Sequence, residues 1–224
     1  PDKDYILKRV EYYNRLQGVV PLDPTCAKPL ALHKFGDAGS TYFFDSYEFT
    51  RWFSDSLKWC YLFGDVTHVP PVPSIVKSRP IEGDIANSVL LNLDKVRHFT
   101  FIKDHIPFRK KMDKAIFRLS ISEKPHRRRF VQMYFDHPMC DTGIISPLPD
   151  DPPEWVKKKI TLYDHLVYKF VVSLEGNDVA TCLKWVMSTN SIAVMPRPTY
   201  ETWFMEGSLI PNYHNIEIKK DYSD

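Results

Sequence analysis

Apolar residues recur at helical spacing twice near the start of the chain. Ile6, Val10, Tyr13 and Leu16 predict an opening helix, and Tyr47, Phe49, Trp52 and Phe53 predict a second short one after the aromatic run at 41–45. Aromatic stripes at such spacing ordinarily face a core. Strand-like runs follow at 57–65 (LKWCYLFGD) and 72–79 (VPSIVKSR), then a helix that includes 87–96 (NSVLLNLDKV). A new strand begins near Asp113 (DKAIFRLSI), 126–135 (HRRRFVQMYF) predicts a helix, and the proline-rich 146–155 (SPLPDDPPEW) is a surface loop. Helix and strand resume across 162–174. Two further strands, 191–197 (SIAVMPR) and 213–219 (YHNIEIK), flank 199–207 (TYETWFMEG), which predicts a helix capped by Thr199. Strand–helix alternation to the end implies parallel sheets with helices on both faces. Two halves, 1–112 and 113–224, match a two-domain α/β protein.

The period changes most abruptly in 168–185, YKFVVSLEGNDVATCLKW. A strand-like run through Lys169, Phe170, Val171, Val172 and Leu174 ends at Gly176, and Val179, Cys182, Leu183 and Val186 continue at helical spacing. Asp178 predicts an N-cap, which leaves the first helical N–H groups facing the turn, where a phosphate or carboxylate is readily held. A capped connection without a ligand fits the same residues. Ligands in open α/β sheets bind beyond the carboxyl ends of strands, where Gly176, Asn177, Asp178, Val179, Ala180, Thr181 and Cys182 fall.

Composition narrows the classes. The 224 residues are 43% hydrophobic and 14% aromatic, enough to bury one large core or two smaller ones, and the formal charge of +2 gives no reason to expect a nucleic-acid partner. Cys26, Cys60, Cys140 and Cys182 lie far apart, without a Cys-x-x-Cys pair or the density of a disulfide scaffold, which points to a reducing compartment. No apolar run reaches membrane-spanning length, and the first residues lack the apolar centre of a signal peptide. The cytoplasm is the expected location, and the abrupt ends suggest an excerpt of a longer chain.

Two constellations carry candidate chemistry. Asp65 follows a strand and precedes the rigid Val69-Pro70, with His68, Lys77 and Arg79 nearby; a strand-end carboxylate there is placed either to take a proton from an alcohol or only to organise a turn. Arg118, Lys124, Arg127, Arg128 and Arg129 crowd a strand-to-helix turn, and guanidinium groups there suit a diphosphate, a solvated surface or an RNA patch. The histidines show no metal-ligand spacing, and there is neither a nucleophile elbow nor a Walker loop. No metal and no resident cofactor are expected.

The segments 72–81, 88–99, 169–196 and 199–224, in this order, resemble glycosyltransferase family 90, especially its bacterial lipopolysaccharide-modifying branch and more distantly the eukaryotic protein O-glucosyltransferases. The resemblance runs from about Asp45 to the end. It implies a GT-B architecture, two Rossmann-like domains facing a cleft, the second continuing past the last residue given. It also implies inverting, metal-independent transfer from a nucleotide sugar, a UDP-sugar, to a glycan such as lipopolysaccharide, with at most peripheral contact at the inner face of the cytoplasmic membrane and no nucleic acid. A protein acceptor, or a non-catalytic anion- or RNA-binding protein, are the alternatives. Asp65 fits the family's Asp-x-x-x-Val-Pro base. Ser120 and Arg127, with Arg128 beside it, map onto donor-nucleotide residues, and 176–182 onto the phosphate turn. His68, Lys77, Arg79 and Arg97 are weaker substrate-binding candidates. Leu119 stands where the family usually has Gly, and Cys182 where the eukaryotic enzymes place a phosphate-binding Arg.

Overall fold

A computed structural model describes residues 2–36, 39–121 and 123–224. The chain divides into two compact units: one comprises Pro1–His98, Asn177–Val179 and Pro198–Ser208, the other Phe99–Gly176, Ala180–Arg197 and Leu209–Asp224. The sequence places a join near residue 112; in the structure the chain first enters the second unit at Phe99.

In the first unit, α1 (Lys3–Tyr13) starts at Asp2, whose carboxylate accepts the Asp4 N–H. Tyr13 is its buried residue and stacks on Trp203, while Ile6 and Val10 stay exposed and Leu16 lies past the helix end. Strands β1 (Lys28–Pro29) and β2 (Lys58–Trp59) pair antiparallel, setting Lys28 opposite Trp59, and this register brings Cys26 and Cys60 into a disulfide with Cα atoms 5.5 Å apart. Cysteine spacing gave no hint of it, because a 34-residue separation says nothing about which short strands meet.

Helix α2 (Ser40–Thr50) takes in the aromatic run itself, and the predicted core stripe is not a core: Ser46 is its buried residue, and Trp52 is 76% exposed. Its rings stack on one another instead, as Phe43 does on Tyr47. Strands β3 (Tyr61–Leu62), β4 (Ser74–Val76) and β6 (Ser88–Leu90) form a parallel sheet in the order β3-β4-β6, with β5 (Ser78–Pro80) between β4 and β6 in sequence. The helix expected over 87–96 is therefore β6 followed by an irregular connection, and only α3 (Lys95–His98) is helical. Ser88 and Leu90 turn inward opposite Ser74 and Val76, so strand pairing outweighs the local helical period.

The second unit contains β7 (Met112–Leu119), α4 (Pro125–Tyr134, with Pro at its first turn), β8 (Cys140–Ile144), α5 (Leu162–His165), β9 (Tyr168–Val172), α6 (Leu183–Met187) and β10 (Ile192–Pro196). Thr161 and Asp164 close a capping box on α5. The chain then returns to the first unit for β11 (Tyr200–Thr202), antiparallel to β5, before β12 (Ile216–Ile218) completes the second unit's sheet. Thus 199–207 is a strand and a 3₁₀ turn at Glu206–Ser208, not a helix capped by Thr199: Glu201 sits opposite Arg79, and their buried ion pair fixes that register.

All five strands of the second sheet are parallel, ordered β12-β10-β9-β7-β8. The chain moves one way from β7 to β8 and the other from β9 onward, so the order reverses between β7 and β9. Crossovers between parallel strands follow a right-handed rule, under which connections that run in opposite directions place their helices on opposite faces. Phe117, Phe130, Val131, Ile144, Val172 and Leu174 build the core there. Among the described residues no helix is long and apolar enough to cross a membrane.

Candidate active site

In the first unit, the turn after β3 puts Gly64 at φ +115, a conformation that favours glycine, and the next residue is Asp65. Lys77, between β4 and β5 and only 1% exposed, donates to Asp65 Oδ1 and lies 2.8 Å from Asp178 Oδ2 and 3.5 Å from His98 Nε2. Arg97 Nη2 reaches Asp65 Oδ1 at 2.6 Å while its Nε holds Asp94 Oδ2 at 2.7 Å, and Asn177 Nδ2 donates to Asp65 Oδ2 at 3.0 Å. Burial alone would raise the Asp65 pKa, but hydrogen bonds from Lys77, Arg97 and Asn177 outweigh it and hold the carboxyl well below the usual range. Burial pushes Asp94 up, and it drives the nearby Tyr42 phenol up to about 12, helped by Asp94.

The cluster is thus a buried ammonium between two carboxylates, with a half-exposed guanidinium bridging one of them to a third. It unites five sequence candidates, Asp65, Lys77, Arg97, Asn177 and Asp178, but Asp178 does not do what its position suggested. Helix α6 starts at Leu183 with Cys182 at its cap, so Asp178 caps nothing; it is 2% exposed and faces Lys77. At five residues, α6 is also too short to present an aligned N-terminus to an anion. Asp94 and His98 were missed. Their signal was the i, i+3 and i, i+4 spacing of Asp94 to Arg97 and His98, which a short helix makes into contacts.

Other first-unit candidates stand apart. Arg79 is fully buried, bonded to Glu201 and to the carbonyls of Tyr12, Tyr13 and Ser88, so its donors hold the fold. His68 is exposed.

In the second unit, the carboxyl ends of β7 and β9 meet at the order reversal, and Arg127 on α4 spans them. Its Nε donates to Glu175 O, Nη2 to Leu174 O and Nη1 to Ser120 O, each at 2.9 Å. His126 Nε2 donates to the same Glu175 carbonyl. Burial lowers the Arg127 pKa. Arg127 thereby fixes the Ser120 and Gly176 edges of the crevice, with three of its five N–H groups already used. Arg128 instead pairs with Asp151 and the Asp150 carbonyl in the proline-rich loop. Val179 and Ala180 are buried, and the Cys182 thiol, 3.5 Å from Ser173 Oγ, is pushed up by burial.

Comparison with known proteins bears on both units. A family model described as Glycosyl transferase family 90 matches residues 93–224. The chain is 40% identical over 219 residues to an O-glucosyltransferase LpsA of Dichelobacter nodosus, an alignment that covers 98% of this chain and 68% of that protein.

Proposed function

The chain belongs to glycosyltransferase family 90 and is a glycosyltransferase, and from that premise we propose that it transfers the sugar of a UDP-sugar to a hydroxyl of a glycan such as lipopolysaccharide, by a single inverting displacement that needs no metal. The relative's name makes glucose the first sugar to test. A GT-B pairing of two Rossmann-like domains belongs to the same reading, supported by the doubly wound strand order of the second unit.

The observation that carries the mechanism is the contact set of Asp65. A general base works best with a pKa near the operating pH, and Asp65 held by Lys77, Arg97 and Asn177 sits far below it. Arg97 and Asn177 are the partners that exchange. When they turn to the donor's pyrophosphate, Asp65 loses two of the hydrogen bonds that depress it, and the acceptor hydroxyl takes their place. The hydroxyl oxygen then attacks the anomeric carbon, its proton passes to Asp65, and the nucleotide diphosphate leaves with the bonding pair. Charge on the leaving group meets the Arg97 guanidinium. The test is Asp65→Asn assayed against a panel of nucleotide sugars, with nucleotide binding measured alongside.

Two observations weigh on the alternatives. Arg127 and Arg128 are engaged within the protein, which leaves the basic segment little for RNA. The Cys26–Cys60 disulfide favours a second reading, a protein acceptor in an oxidising compartment, over a cytoplasmic one. Mass spectrometry of the protein recovered from its native compartment with thiols blocked separates these.

A further inference from the structure

Alternation along β7 sends Phe117 toward Phe130 of α4, and Ile116 and Arg118 to the opposite face. On that face lies a cavity of about 160 Å³, walled chiefly by Ile116, Val171 and Leu162 with Trp185 and His165. Arg118 lines it too, and its side chain is 6% exposed. Gly143 makes room for the guanidinium, since a Cβ there would stand 2.4 Å from Nη1. One nitrogen, Nη2, reaches Asp141 at 2.6 Å; Nε and Nη1 are buried with no hydrogen-bond partner.

Unsatisfied N–H groups of a buried guanidinium are costly, and an arginine left so beside an empty space is a site awaiting an acceptor. The charge balance agrees. Asp141 already accepts from Lys157 at 2.9 Å and from the Tyr168 hydroxyl, so two cations share one carboxylate, and Lys159 adds a third at the cavity wall. The rest of the lining is mainly apolar, and an apolar cavity of about 150 Å³ accepts a benzene-sized ring.

We propose that this cavity binds a small planar carboxylate, its oxygens on Arg118 Nε and Nη1 and its single ring or short chain against Ile116, Val171 and Trp185. This goes beyond sugar transfer: nothing in the proposed reaction uses this face of the sheet.

Benzoate is the probe, added to the whole chain and followed by saturation-transfer NMR and calorimetry, readouts independent of enzymatic activity. Saturable one-to-one binding is expected. Arg118→Met should weaken it roughly tenfold to a hundredfold, the scale of charge-assisted hydrogen bonds, and the neutral isostere benzamide should bind correspondingly worse. Leu162→Trp, which keeps the guanidinium and fills the cavity, should also abolish binding, and it decides the matter if Arg118→Met fails to fold. Absent or non-saturating binding overturns the proposal. So does benzamide binding as tightly as benzoate, or a folded Leu162→Trp that binds unchanged.

Discussion

At the scale of single residues, the two arginines of the α4 turn separate by what they hold. Arg127 serves three backbone carbonyls at the ends of β7 and β9, whereas Arg128 holds one surface loop with a side chain 31% exposed. Arg127→Ala should therefore destabilise the protein by about 2–4 kcal/mol in urea unfolding, through buried carbonyls left without donors, and Arg128→Ala by about 1 kcal/mol. Equal small losses would show that Arg127 is free to serve a ligand alone. Asp141 gives a pH test. Burial raises its pKa, but the Tyr168, Lys157 and Arg118 hydrogen bonds bring it down to about 2, below the unfolded value of about 3.9. A depressed folded pKa contributes stability above the unfolded value, which is lost as pH falls toward 2. Asp141→Asn should flatten stability against pH in that window, measured by melting at a series of pH values. Of such contacts, little was legible in the sequence. Asp65 announced itself as a carboxylate at a strand end, but its partners Arg97 and Asn177 lie 32 and 112 residues away, and only folding sets them together.

Legibility among the elements followed strand length only in part, since the five-residue β8 went unread and the three-residue β12 was located. β7, β9 and β10 have five to eight residues each, long enough for an apolar run to stand out, and the sequence located all three. The first unit's strands have two or three residues; the apolar runs at 57–65 and 72–79 marked β2 to β5, whereas β6 and β11 each fill too little of their windows to outweigh a helical period. Units built from such short strands rest on their connections. The Cys26–Cys60 bond closes a 34-residue separation beside the two-residue pairing of β1 and β2. Chain entropy gives such a closure about 3–4 kcal/mol. Cys26→Ser with Cys60→Ser should lose most of that, lowering the melting midpoint by several degrees, and an oxidised wild type should fall to the same midpoint when reduced. Identical midpoints with and without reductant would mean that the bond does not form in solution.

For the whole molecule, the question is whether the charge cluster of the first unit serves transfer or only holds the turn after β3. Both roles predict that disturbing it harms the protein, so activity alone does not discriminate. Asp65→Asn preserves the shape of the side chain and one acceptor oxygen, enough for Lys77 and Arg97, while it gives up the bond from Asn177 and the ability to take a proton. General-base assistance contributes about 10²–10⁴-fold in rate, so turnover should fall by that order, with nucleotide affinity close to wild type because the base acts on the acceptor. Lys77 adds a control, since Lys77→Met removes the ammonium facing Asp65 and Asp178 and should cost stability before it alters chemistry. The informative comparison is between Asp65→Asn and wild type at matched melting midpoints and matched UDP binding. If the variant then turns over at a near-normal rate, the base lies elsewhere. His68, exposed, would come next, ahead of Asp45, whose carboxylate is already occupied by the Lys95 backbone N–H at 2.9 Å and the Lys95 ammonium at 3.5 Å.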